Sequence, residues 1–144
     1  MTEPLITVDA LIDADPPAVW DTLTRRQSPM FLGAEVDTDW RAGSPMTMTG
    51  EYGGKRFEDH GEIRVAEAQH RLAFTHFSGA DSGNGNLVDI RLEPEGEGTR
   101  VTLSQTPLGG DPPDPGKIAG FRKTWEAMLA ALKNAAEHRS VAPV

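Results

Sequence analysis

Three polar side chains lie where an alternating strand should turn them toward an apolar interior. His76 shares a face with Leu72 and Phe74. A neutral imidazole there can hydrogen-bond a carbonyl or take a proton, because its unperturbed pKa is ~6.5. The plainer alternative is a histidine bonded to a polar group of a neighbouring strand. Asp59 shares the face of Phe57, Ile63 and Val65, whereas His60 faces the other way. A buried carboxylate is costly unless paired, so the alternative for Asp59 is a strand that bends into water. Gln105 sits with Val101 and Leu103 as a third inward polar group. His76, Asp59 and Gln105 are thus a candidate cluster, with His76 and Asp59 the two side chains suited to acid–base catalysis. Asp89, opposite Val88 and Ile90, is expected in solvent.

Other chemistries lack their residues. The 144-residue chain has no cysteine, which removes disulfides, thiolate zinc sites and cysteine nucleophiles. Its four histidines show no metal-ligand spacing, and no calcium loop, nucleophile elbow or phosphate loop occurs. Neither a metal nor a cofactor is expected. With 14 Lys and Arg against 22 Asp and Glu, the net charge of −8 disfavours a phosphate-backbone binder, so no nucleic acid partner is expected. No run approaches the ~18 apolar residues of a membrane span, and Met1 to Pro4 lack the character of a signal sequence. These features lead to the expectation of a cytoplasmic protein without membrane insertion. The length suits one domain over residues 1–144.

The elements that must position the polar groups follow from periodicity. Leu5 to Ile12 alternates as a half-buried strand. Asp15-Pro16-Pro17 is a capped helix start, followed by Val19, Trp20 and Leu23 at helical spacing, with Pro29 and Gly33 keeping the helix short or dividing it. From Ala34 to Gln105 short strands alternate with turns at 42–45, 53–54, 69–70, 79–86 and 95–98, the last an acidic hairpin tip. Pro107 to Gly116 must be a loop, either a plain connector or a lid. Asp114-Pro115 opens a second helix whose Ile118, Phe121, Trp125, Met128 and Leu132 form one apolar stripe. The tail within residues 136–144 is expected to fray. A single long helix must cover the apolar face of the sheet, which gives an α+β protein.

The chain resembles the activator of heat shock protein 90 ATPase homologue-like family, within the START/Bet v 1-like (SRPBCC) superfamily. The resemblance rests on Pro17 to Thr24 in the first helix, Asp39-Trp40-Arg41-Ala42-Gly43-Ser44-Pro45, His70 to His76, Gly98 to Gln105, and Trp125 to Lys133. It implies a helix-grip fold: a curved antiparallel sheet of six to seven strands wrapped around the long C-terminal helix, with short helices after the first strand. It also implies a cavity between sheet and helix that takes hydrophobic or aromatic small molecules. The cochaperone activity behind the family name does not transfer on fold alone.

Three functions are compatible with this reading. The first is binding of a small hydrophobic or aromatic molecule, enclosed by Phe74, His76, Phe121, Trp125 and Met128, with Phe31, Trp40, Met48, Phe57 and Gln105 behind them. Methionine adapts to varied ligands, although each of these large side chains also suits an ordinary core. The second is an enzyme of the cyclase or dehydratase kind, in which His76 and Asp59 work on an enolisable substrate. The third is a cochaperone-like or regulatory module with a protein partner. A homodimer is compatible with all three.

Overall fold

The computed structural model describes residues 4–31, 34–52, 54–77, 85–109 and 114–140. The glycine-rich connection at 78–84 and the middle of the Pro107–Gly116 loop lie outside this set, and the lid reading of that loop with them. In chain order the elements are β1 (Ile6–Ile12), α1 (Pro16–Leu23), a 3-10 turn (Pro29–Phe31), β2 (Glu35–Asp37), β3 (Pro45–Tyr52), β4 (Lys55–Glu67), β5 (Arg71–His76), β6 (Asn86–Glu95), β7 (Gly98–Pro107) and α2 (Pro115–Ser140).

Local chemistry sets the helix ends. Asp15 Oδ1 accepts from the Ala18 N–H at 3.1 Å, satisfying a donor that the first turn cannot pair. Thr24 closes α1 by bonding the Trp20 carbonyl through both its N–H and its hydroxyl. Asp114 Oδ1 caps α2 through the Lys117 N–H at 2.9 Å.

The seven strands form one antiparallel sheet in the order β1-β7-β6-β5-β4-β3-β2. The chain lays β1 on one edge, crosses through α1 and the 3-10 turn to the opposite edge, and meanders back until β7 meets β1. One inward row crosses the sheet as Ile6, Gln105, Val88, Phe74 and Ile63. Apart from Gln105 all are at most 1% exposed, and Phe31 meets Phe74 edge to face with ring centres 6.1 Å apart. On the helix side the core is closed by Val19, Leu23, Met30, Leu129, Leu132 and Ala136.

Three expectations need correction. The pairing of β4 with β5 shifts between Ile63 and Val65, so Ile63 opposes Phe74 while Val65 opposes Ala73. Val65 therefore leaves the face of Phe57, Asp59 and Ile63, and Ala66 takes the inward place beside Leu72. An inserted residue of this kind reverses the facing of everything beyond it, which simple alternation cannot show. Asp89 is not solvated: its side chain is 14% exposed and receives Arg71 on both oxygens, at 2.8 and 3.1 Å. The helix also does not fray at residue 136. It continues to Ser140, Ala136 is fully buried, and Glu137 accepts from the Asp13 N–H at 2.9 Å.

Candidate functional site

The inner face has a packed half and a half that remains partly open. Along α2, Leu129, Leu132 and Ala136 are at most 2% exposed, whereas Ile118, Trp125 and Met128 are half-buried and Phe121 is 37% exposed. The sheet shows the same gradient. Phe31, Met48 and Phe74 are buried in the core, but Phe57, Asp59 and His76 are half-buried. The predicted ligand residues thus divide between a buried floor and a more accessible end, and the accessible end carries the chemistry.

Gly61 shapes that end. It lies between the His60–Phe77 bridge and the Ile63–Phe74 pair. A Cβ at Gly61 would stand 1.8 Å from the Thr75 carbonyl oxygen, so only glycine admits the β5 backbone here. The Thr75 hydroxyl, on a side chain that is almost wholly buried, accepts from the Glu62 N–H at 2.9 Å. Across this close approach the Asp59 carboxylate and the His76 ring meet, Oδ2 to Nε2, at 2.9 Å. Their side chains are 15% and 30% exposed. A neutral ring that donates from Nε2 leaves Nδ1 as an acceptor, and a protonated ring donates from both nitrogens.

The third expected member of the cluster makes a different bond. Gln105 is 4% exposed, and its Oε1 accepts from the indole N–H of Trp125 on α2. Instead of one three-residue cluster, the structure has an Asp59–His76 pair on β4 and β5 and a Gln105–Trp125 pair joining β7 to the helix. Sequence reasoning missed Asn86. It opposes His76 on one side and Pro107 on the other, two residues before the inward Val88, so it faces the same interior. The signal was available, since the alternation of Val88, Ile90 and Leu92 extends back to it.

Trp40 closes the sheet at another corner. It is half-buried against the core with a φ of 59°, a left-handed conformation that bulky residues rarely adopt. Local bonds hold it there. The Arg41 N–H donates to Asp39 Oδ1 at 3.0 Å, and the Gly43 N–H and Ser44 carbonyl clip the turn to Ile63 at 2.7 and 2.9 Å. The Ser44 hydroxyl, followed by the Arg41 N–H, holds the Asp39 carboxyl below its ordinary range.

Two open surface clefts lie elsewhere. One, of about 360 Å³, is lined by Asp37, Thr38, Asp39, Ser44, Pro45 and Thr47. The other, of about 240 Å³, is lined by residues including Gln27, Glu35, Thr49 and Arg56. Neither involves the inward polar residues. Among the described residues no group of three or more His, Asp or Glu could hold a metal ion, and no helix is long and apolar enough to cross a membrane.

Comparison with known proteins agrees with this architecture. The solution structure of ChR145 from Cytophaga hutchinsonii is similar over 99% of both chains, with 26% identity and a TM-score of 0.79. The crystal structure of DynU16, a protein of the dynemicin biosynthetic locus, aligns with 92% of this chain and 46% of its own, at 17% identity and a TM-score of 0.77. The crystal structure of Ara h 8.0201 aligns with 91% of this chain and 95% of its own, at 12% identity and a TM-score of 0.72. No curated protein matches the chain. Residues 13–137 match the sequence profile described as activator of Hsp90 ATPase homolog 1-like protein.

Proposed function

Because the chain belongs to the activator of Hsp90 ATPase homolog 1-like family, with its helix-grip, Bet v 1-like fold, we propose that it binds a small hydrophobic or aromatic molecule between the sheet and the first half of α2. One observation carries the reading. The apolar stripe of α2 is sealed at Leu129, Leu132 and Ala136 but remains half-covered at Ile118, Phe121, Trp125 and Met128. Apolar side chains left part-exposed along this stretch of the helix gain more burial when a ligand covers them. At ~25 cal/mol per Å² this is a substantial driving force for an apolar guest. Phe31, Met48 and Phe74 form the floor of the site, Phe57 its sheet wall, and Gln105 and His76 its polar contacts.

A thermal-shift screen against fatty acids, steroids, flavonoids and aromatic polyketides tests the proposal. A ligand at about 100 times its Kd adds roughly 2.7 kcal/mol of stability, or about 5–10 °C for a chain of this size. Trp125→Ala should abolish the shift while the circular dichroism spectrum stays native. A variant that shifts as the parent does places the ligand elsewhere.

The 2.9 Å Asp59–His76 pair favours a second reading, acid–base catalysis on an enolisable substrate in the same space. DynU16 belongs to a biosynthetic locus, which is consistent with it. Under this reading His76→Gln keeps the ligand-induced shift and loses turnover of any substrate the screen supplies. Turnover unchanged in that variant rules out His76 as the base.

A further inference from the structure

The Gln105 side chain is committed on one side only. Its Oε1 must face Trp125, because an indole N–H can only donate. That fixes the amide orientation and turns Nε2, with two N–H donors, the other way. Nε2 donates to no described residue, although Gln105 is only 4% exposed. No fully buried side-chain nitrogen or oxygen lacks a partner among the described residues. The amide nitrogen is therefore the part of Gln105 that reaches accessible space, on the inward face of β7 beneath the half-covered stretch of α2. Asn86, half-buried on the same face and opposite His76, likewise makes no side-chain hydrogen bond with any described residue. Unpaired neutral amide donors on this face disfavour a pure hydrocarbon, which would cover them without pairing them.

We propose that the Gln105 amide, with Asn86 beside it, selects a ligand bearing a carbonyl-type oxygen on a rigid apolar ring system, and that Gln105 Nε2 donates to that oxygen. This rests on the small-molecule reading above and deepens it by naming the polar group the guest must carry. The Trp125 bond gives the selection its rigidity: it holds the amide with its donors presented, so little ordering remains to be done on binding. A neutral acceptor suits the two amides better than a carboxylate, because no cationic side chain bonds to either of them among the described residues.

The test uses the full chain and three matched pairs: acetophenone and ethylbenzene, 1-tetralone and tetralin, fluorenone and fluorene. Affinities are read by calorimetry or equilibrium dialysis. At least one ketone should bind about tenfold more tightly than its hydrocarbon, the worth of one well-made hydrogen bond. Gln105→Glu retains an acceptor for Trp125 but removes the amide donors, and should bring the pair to within about threefold. If the carboxylate prevents folding, Gln105→Met tests the same loss at similar volume, and Asn86→Ala should reduce the preference in part. Equal affinities within every pair in the parent, or a preference unmoved in the Gln105 variants, overturns the proposal and leaves the small-molecule reading standing. Failure of every ketone and every hydrocarbon to bind overturns the proposal, while the small-molecule reading is decided by the thermal-shift screen.

Discussion

At the scale of single residues, one glycine and an Asp–His pair organise the accessible end of the interior. Gly61 admits the β5 backbone at a distance no side chain would allow, and the Asp59–His76 bond spans that approach. Gly61→Ala should therefore destabilise the fold by at least the roughly 1–3 kcal/mol typical of overpacking, since the obstacle is backbone and not a flexible side chain. Urea unfolding measures this directly, and a change below about 0.5 kcal/mol would mean that the strands separate there without penalty. The inward placement of His76 and Gln105 was legible from period-two alternation. Asp59 was likewise legible as a candidate partner of His76, but the Trp125 partner of Gln105 was not. Whether Gln105 meets His76 or Trp125 depends on where a helix from the far end of the chain comes to rest, and no local pattern encodes that. Trp40 was legible as an apolar residue in a turn, but its left-handed backbone was not, because its neighbours Asp39, Gly43 and Ser44 impose it.

At the scale of elements, α2 shows how far periodicity reaches. The 3-4-3-4 spacing identifies the apolar face correctly but says nothing of what stands opposite each turn. Its two halves share the apolar spacing and differ in burial. The C-terminal half is anchored electrostatically as well as by packing. Lys133 bonds the Leu11 carbonyl at 2.9 Å and pairs with Glu137. The Asp13 N–H, and after it Lys133, hold the Glu137 carboxyl below its ordinary range. A carboxyl depressed in the folded state stabilises above its unfolded pKa, and that contribution is lost as pH falls through the lower folded value. Glu137→Gln should accordingly lower Tm at neutral pH, with the gap from the parent narrowing below about pH 4. Thermal melts across that range check the sign; a gap that widens with acid would show that Glu137 does not anchor the helix. In β4 the sheet departs from its pattern. The shift after Ile63 turned Val65 outward, against the expectation from alternation, because a bulge leaves no mark in a string of apolar and polar letters.

At the scale of the molecule, the order of elements was readable almost throughout: strand, short helices, meander, long helix. Turn chemistry at 42–45, 69–70 and 95–98 marked the hairpins, and the family resemblance supplied the curvature. Sheet order was harder to read, since adjacency of sequential strands explains β2 through β7 but not why β1 sits beyond β7. That one long-range pairing also governs assembly. Ile6 and Gln105 are partners, so nearly a hundred residues must be in hand before the sheet can take up its first strand. Closing so long a loop is entropically expensive, and topologies dominated by distant contacts fold slowly, on the millisecond-to-second scale. On the ribosome the N-terminal strand must wait, unpaired, until β7 has emerged. The backbone pairing that seats Gln105 beside Ile6 thus belongs to the late steps of folding, so the interior remains unfinished until the two ends of the sheet's strand sequence have met.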